Sequence, residues 1–411
     1  MLDRGLLSAR RALRPSVAGR TLTQWAPFNR MVKDDPEWAS RSVYLRTVLD
    51  RLRDHELSRQ WRRDDRWEYY AEAFDTLSLL QPRKKKATLS EIERVLPQAN
   101  SPAWNVIRNI VAKEEDAYLE QRSEEEVAGV LFRRIYTVGR ATAARLAKNG
   151  LRTLEDFVAR PRVTASQKLS IEHLSDMDIM IPRKEMDSFK ARLEDVFRPN
   201  PDAIQDATFE LVGSYRCGQE YSPNIKALVY SDAYTDFNSA TSILDEVYRR
   251  VMVNGLIENG QMLSIASRSD RRHIIGFTRA NARSPWRMLS LKLVPRDQLP
   301  LTLVQETGDG FLWRVLRSQA KRNGYRFYRN NVEWIRRTPR AEEGGVNRSR
   351  PPQPKTEKEV FDLAKLPYLE PHQRVYNVYR DILPTEILEE RSEPWENAFL
   401  KSRKQQVAAK E

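Results

Sequence analysis

At 411 residues, with 40% hydrophobic and 9% aromatic side chains, the chain can bury two or three cores and is globular. A net charge of +13 favours a polyanionic partner over a neutral small molecule, although a bland basic surface would give the same number. The single cysteine, Cys217, excludes an internal disulfide and a cysteine zinc cluster; His55, His173, His273 and His372 lack ligand spacing, and no apolar run reaches the length of a membrane span.

Residues 1–33 carry Arg4, Arg10, Arg11, Arg14, Arg20, Arg30 and Lys33 against one acid, Asp3, with leucines and alanines between. Such a segment reads as a mitochondrial presequence, and a lone cysteine suits a reducing, matrix-like compartment. The alternative is a basic arm that touches nucleic acid directly. Its removal lowers the net charge to about +7, so the remainder stays basic.

Over 34–125, apolar residues recur at helical spacing through Val43, Leu45, Val48, Leu49, Leu52 and then Trp67, Tyr70, Ala73, Phe74, Leu77. Two or three helices are expected, broken near RQWRRDDR, then a cationic loop at Arg83 to Lys86 and helices at Glu91–Leu96 and Pro102–Lys113. The turn between the last two, LPQANSPAW, has no glycine. Because glycine readily accepts a positive φ and lets backbone N–H groups approach a phosphate, this hairpin is expected to have lost a nucleic-acid grip.

A second helical hairpin is expected within 126–200. Gly139 permits its turn, Gly150 ends its second helix, the N–H groups at Arg140 to Ala143 face outward, and Lys148 adds a charge. A phosphate has a natural seat there; a hairpin kept for packing is the alternative. Over 201–300 strands are expected at Thr208–Val212, 227–230, 273–279 and 288–295, with a helix at Asp245–Val253. The Gly213-Ser214 turn and Arg216 could hold one anion without metal. Residues 301–371 contain a Thr307-Gly308 turn feeding a helix, a Pro-, Gly- and Arg-rich loop over 341–355, and a final helix; 372–411 is a charged helical tail.

The run Gly213, Ser214, Tyr215, Arg216, Gly218 leading into strand ALVY resembles the signature of X-family DNA polymerases, the family of DNA polymerase beta. The phrases RTLEDF, LSIEHL and IPRKEM, the Val294-Pro295-Arg296-Asp297-Gln298 run and the Thr307-Gly308 turn resemble the same family. The resemblance implies an α+β fold: a degenerate lyase-like helical domain (34–125), a helix-hairpin-helix domain (126–200), a nucleotidyltransferase-type palm with a mixed sheet (201–300) and a small thumb-like subdomain (301–371). It also implies where chemistry should sit. The positions of the family's metal-binding aspartates are Asn224, Lys226 and Ser290, the lyase lysine position is Val106, and the second arginine of the signature is Cys217. The family's monovalent cation would lie on the backbone of Arg133, Ile135 and Val138, with Thr137 in place of a glycine. At the nucleotide segment Gln305-Glu306 and Trp313 replace an aromatic pair and an asparagine. Glu220, Asp232 and Asp236 could rebuild a metal site only by leaving the family's pattern. Lys226 could hold a backbone phosphate or pair with a neighbouring acid.

The expectation is thus a polymerase-like protein of the mitochondrial matrix that lacks catalytic residues and expects no cofactor. It would bind DNA or RNA through Gly139, Arg140, Thr142, Ala143, Lys148, Gly213, Ser214 and Arg216, or serve as a structural subunit of a nucleic-acid machine such as the mitochondrial ribosome or nucleoid. The alternative is a divergent, magnesium-dependent DNA polymerase or nucleotidyltransferase of mitochondrial DNA repair.

Overall fold

The computed structural model describes residues 40–389, apart from 63, 65, 79, 81–84, 97–100, 115, 199–206, 269–270, 329 and 336–350. The expected presequence over 1–33, Arg83, Lys84, the middle of the LPQANSPAW turn, most of the 341–355 loop and the tail beyond 389 lie outside the described residues.

The first helical group packs α1 (Leu45–Arg62) against α2 (Trp67–Ser78), with α3 (Leu89–Val95) on α2 and α4 (Ser101–Ala112) against both α1 and α2. Thr88 starts α3 with a reciprocal capping box to Glu91. Leu45, Val48, Leu52, Ala73, Leu77, Ile92 and Ile107 make its core, and two short strands, β1 (Ser42–Tyr44) and β2 (Lys86–Thr88), pair across its edge. A short α5 (Ala117–Glu120) leads to α6 (Glu124–Arg133), whose first turn carries Glu124, Glu125 and Glu126 at the positive end of the helix dipole.

The hairpin group continues through α7 (Arg140–Lys148), α8 (Leu154–Val158) and α9 (Ala165–Glu172), around Phe132, Ile135, Val138, Ala143, Ala147 and Phe157. A Cβ on Gly129 would overlap the Trp61 ring, so α6 and α1 approach as closely as glycine allows.

The palm follows β3 (Ile181–Pro182) and α10 (Arg183–Val196). Its strands are β4 (Thr208–Leu211), β6 (Ile225–Tyr230), β7 (Met262–Arg268), β8 (Arg271–Thr278) and β9 (Arg287–Leu293), in the order β4-β6-β9-β8-β7. Only β6 and β9 run parallel; the remaining pairs are antiparallel, so the sheet is mixed. A two-residue β5 (Tyr221–Ser222) pairs with β3. Leu289, Leu291 and Leu293 alternate along β9 into a core with α10 and α11 (Phe237–Val253), which leaves Ser290 and Lys292 on the opposite face. There Leu228, Val212 and Val294 are covered by α12 (Leu299–Glu306), while the beginning of β6 stays open.

The last group holds α13 (Gly310–Arg322), the hairpin of β10 (Tyr325–Tyr328) and β11 (Asn331–Trp334), α14 (Glu357–Leu363), α15 (Tyr376–Tyr379) and α16 (Thr385–Glu389). Compared with the sequence expectation, α11 begins eight residues earlier, and β7 and the β10–β11 hairpin are additional. No described helix is long and apolar enough to cross a membrane.

Candidate nucleic-acid interface and palm site

Parallel pairing of β6 and β9 sets Lys226 directly opposite Ser290. Asn224 precedes the strand by one residue and is half-buried, Ser290 is half-buried, and Lys226 is exposed at the floor of a cleft of about 1560 Å³. The three positions assigned from separate sequence phrases are therefore brought together in space. An amide, an ammonium and a hydroxyl do not fit a divalent cation: hard ions take carboxylate oxygens, and the Lys226 charge repels them. Among the described residues no group of three or more His, Cys, Asp or Glu is arranged to hold a metal. Of the substitute acids, Glu220 lines the cleft, and the other two are engaged elsewhere. Asp232 pairs with Arg296 at 3.4 Å, and Asp236 caps α11 by accepting from Ser239 N–H at 2.8 Å. Glu306 lies 3.4 Å from Lys292 Nζ, and Trp313 stacks on Phe327.

The expected anion seat at the signature turn is filled by the protein itself. Gly213 has φ +71, as a glycine turn demands, but its N–H donates to the Glu306 carbonyl at 2.8 Å, and Ser214 Oγ bonds Ser222 Oγ at 3.0 Å. Arg216 Nε donates to Glu210 at 3.0 Å, and its Nη atoms donate to both oxygens of Glu357 at 2.8 and 3.0 Å. Burial works against this charge, yet the bonds to Glu357 and Glu210 outweigh it and raise the guanidinium pKa. Arg216 is accordingly a palm–thumb tie, and its assignment to phosphate is corrected. Arg374, fully buried, grips the same Glu357 at 2.5 Å. Cys217 is buried, and burial pushes its thiol up to about 12, leaving it unreactive. Val106 is a core residue of the first helical group.

The hairpin differs from expectation in one respect. Thr137, not Gly139, takes the left-handed conformation, with φ +64, while Gly139 is extended at φ −75. Val138 N–H donates back to the Ile135 carbonyl at 3.0 Å, which engages one of the three carbonyls proposed for a monovalent cation. Gly139 is the N-cap of α7, with no side-chain cap and nothing within 4 Å of where a Cβ would stand. Ala143 is buried and its N–H donates to the Gly139 carbonyl at 2.9 Å, so it is corrected to a helix-packing residue. The earlier amides, those of Arg140, Ala141 and Thr142, are the first-turn donors without intrahelical partners. Lys148 is exposed at the far end of the same helix.

Two cleft features escaped the sequence analysis. Arg314 of α13 pairs with Glu72 and lies 3.6 Å from Glu68, both on α2. Arg133 ends α6 with a buried Nη1 that has no hydrogen-bond partner, and burial lowers its pKa against the opposing charge of Glu56. The spacing of Glu68, Glu72 and Asp75 could have marked one helical face; a partner some 240 residues away in sequence could not be read.

Comparison with known proteins bears on this arrangement. The family described as the fingers domain of DNA polymerase lambda matches residues 130–178, and the DNA polymerase beta thumb matches residues 302–375. DNA polymerase lambda of Arabidopsis thaliana is 27% identical over 285 residues, which is 68% of this chain and 53% of that protein. In its fingers and thumb segments the chain is similar to X-family DNA polymerases. DNA polymerase lambda of Rattus norvegicus is 26% identical over 247 residues (59% of this chain, 41% of that protein). The DNA-directed DNA/RNA polymerase mu of Homo sapiens is 26% identical over 263 residues (57% and 52%). The chain spans about half the length of the X-family relatives it matches.

Proposed function

We propose that this protein binds nucleic acid without transferring nucleotides, and that it works in the mitochondrial matrix as a structural subunit of a nucleic-acid machine such as the mitochondrial ribosome or nucleoid. One observation carries the loss of chemistry: Lys226 faces Ser290 beside Asn224, where phosphoryl transfer through two metal ions requires carboxylates. The basic N-terminal segment supports the compartment. Similarity to X-family polymerases and the open end of α7 support nucleic-acid contact, since backbone donors at a helix N-terminus suit phosphate without reading sequence. Arg140 and Thr142 flank that end, and Lys148 adds an exposed charge at the other end of the helix. The alternative, a divergent polymerase of mitochondrial DNA repair, is favoured by the names of the relatives alone.

The test is paired. Purified protein is given labelled deoxynucleotides on gapped DNA with magnesium or manganese, and its affinity for gapped duplex and structured RNA is measured over a range of salt. Binding without incorporation is expected, with each phosphate contact adding about −0.9 to the slope of log affinity against log salt on duplex DNA. Lys148→Glu should flatten that slope by about one contact. Incorporation abolished by Glu220→Gln or Asp232→Asn would establish the polymerase alternative. A reporter fused to residues 1–33 tests the compartment; a cytosolic or nuclear reporter counts against it.

A further inference from the structure

The protein carries a net charge of +13, yet its central cleft is lined by ten carboxylate and nine cationic side chains. The acids come in part from α2, where Glu68, Glu72 and Asp75 stand at i, i+4 and i+7 and so share one helical face. That face closes on the thumb. Glu72 is 3% exposed and pairs with Arg314, itself 14% exposed; Glu68 adds a second carboxylate, and the Arg314 guanidinium lies 5.7 Å from the Tyr69 ring. Asp75 and Lys226 line the same cleft, and burial pushes the Asp75 carboxyl up to about 6. Arg133, lining the same cleft, keeps a buried N–H group with no acceptor.

We infer that the acidic face of α2 is a built-in competitor for nucleic acid: Glu68 and Glu72 hold Arg314, and Asp75 adds a third carboxylate to the cleft wall, so a phosphate backbone entering the cleft must first displace α2. The inference rests on the nucleic-acid reading above. It explains how a basic protein can hold a cleft that presents little free positive charge. A carboxylate bound to a guanidinium occupies the same fork that a phosphate would take, so the two exclude each other. Displacement would also give the buried Arg133 N–H an acceptor.

The experiment uses the full chain. Affinity for a gapped duplex DNA and for an RNA hairpin is compared between wild type and the double variant Glu68→Gln, Glu72→Gln, which keeps side-chain shape and removes charge. The distance between spin labels on α2 and α13 is followed in parallel. The variant should bind about fivefold tighter at low salt, with the gain fading as salt rises, and its label distance should lengthen. Asp75→Asn should give a smaller gain without touching Arg314. Arg314→Gln should lengthen the distance and give no tighter binding, because it removes the phosphate ligand together with the latch. Restored distance in the swap Arg314→Glu, Glu72→Arg identifies the ion pair as the contact and supports the inference. Equal affinity of wild type and double variant overturns the competition while leaving nucleic-acid binding intact. Failure of both to bind either nucleic acid overturns the nucleic-acid reading and the competition together.

Discussion

Thr137 and Gly139 divide the hairpin turn between them: the threonine bears the positive φ of +64, and the glycine, two residues on, is extended and leaves the end of α7 open. A β-branched residue in the left-handed region costs roughly 1–2 kcal/mol. Thr137→Gly should therefore raise stability by about 0.5–1 kcal/mol in urea denaturation, since the relief exceeds the added freedom of the unfolded chain. Gly139→Ser should also stabilise, by roughly 0.5 kcal/mol, by supplying the missing cap. The serine hydroxyl would then take the first-turn amides, so nucleic-acid affinity should fall while stability rises. Lower stability together with unchanged affinity would show that the open end serves packing.

The palm predicts a gain rather than a loss. With Lys226 and Ser290 as register partners and Asn224 adjacent, Asn224→Asp, Lys226→Asp and Ser290→Asp together place three carboxylates on neighbouring strand positions. The triple variant should acquire divalent-cation affinity measurable by calorimetry with manganese, where wild type has none. Equal heats for both proteins would mean that the positions do not converge as the ladder indicates.

Asp309 caps α13, accepting from Leu312 N–H at 2.8 Å and from the Tyr379 hydroxyl at 2.9 Å. Burial nonetheless pushes its carboxyl from 3.8 up to about 6. A carboxyl raised in the folded state opposes folding when ionised: the cost is absent below the unfolded value of 3.8 and grows as pH rises to about 6. Acidification from pH 7 to 5 should thus stabilise wild type relative to Asp309→Asn. The difference in Tm between the two, followed across that range, should move in favour of wild type; a flat difference would contradict the assignment.

Gly129 is held against the Trp61 ring, where even a methyl group overlaps. Gly129→Ala should cost about 1–3 kcal/mol by overpacking. A midpoint of urea denaturation equal to that of wild type would show that the α1–α6 contact yields without penalty.

Helices and palm strands were legible because their apolar periods are local and strong, as in the leucines of β9 and the Val48, Leu49, Leu52 spacing of α1. The three replaced palm positions were legible because each sits in a recognisable phrase, and strand register then joined them. The β10–β11 hairpin escaped because its four-residue strands contain arginine, asparagine and glutamate and are defined by each other rather than by alternation. Arg216 was misread for a similar reason. Its position beside a glycine turn suggests an anion, but the carboxylate that claims it, Glu357, is 141 residues away. Ala143 lies one residue too far into the helix to serve as a donor, its amide being already given to the Gly139 carbonyl.

Glu357 lies between Arg216 of the palm turn and the fully buried Arg374, and neither guanidinium can leave without stranding a charge in protein. Palm and thumb are thereby riveted into one rigid jaw. The helices before residue 113 meet the thumb through the Glu72–Arg314 ion pair and through surface contacts such as the 3.4 Å bond from Arg380 to the Arg94 carbonyl. Opening of the cleft would therefore break that ion pair and those surface contacts before it broke the palm–thumb rivet.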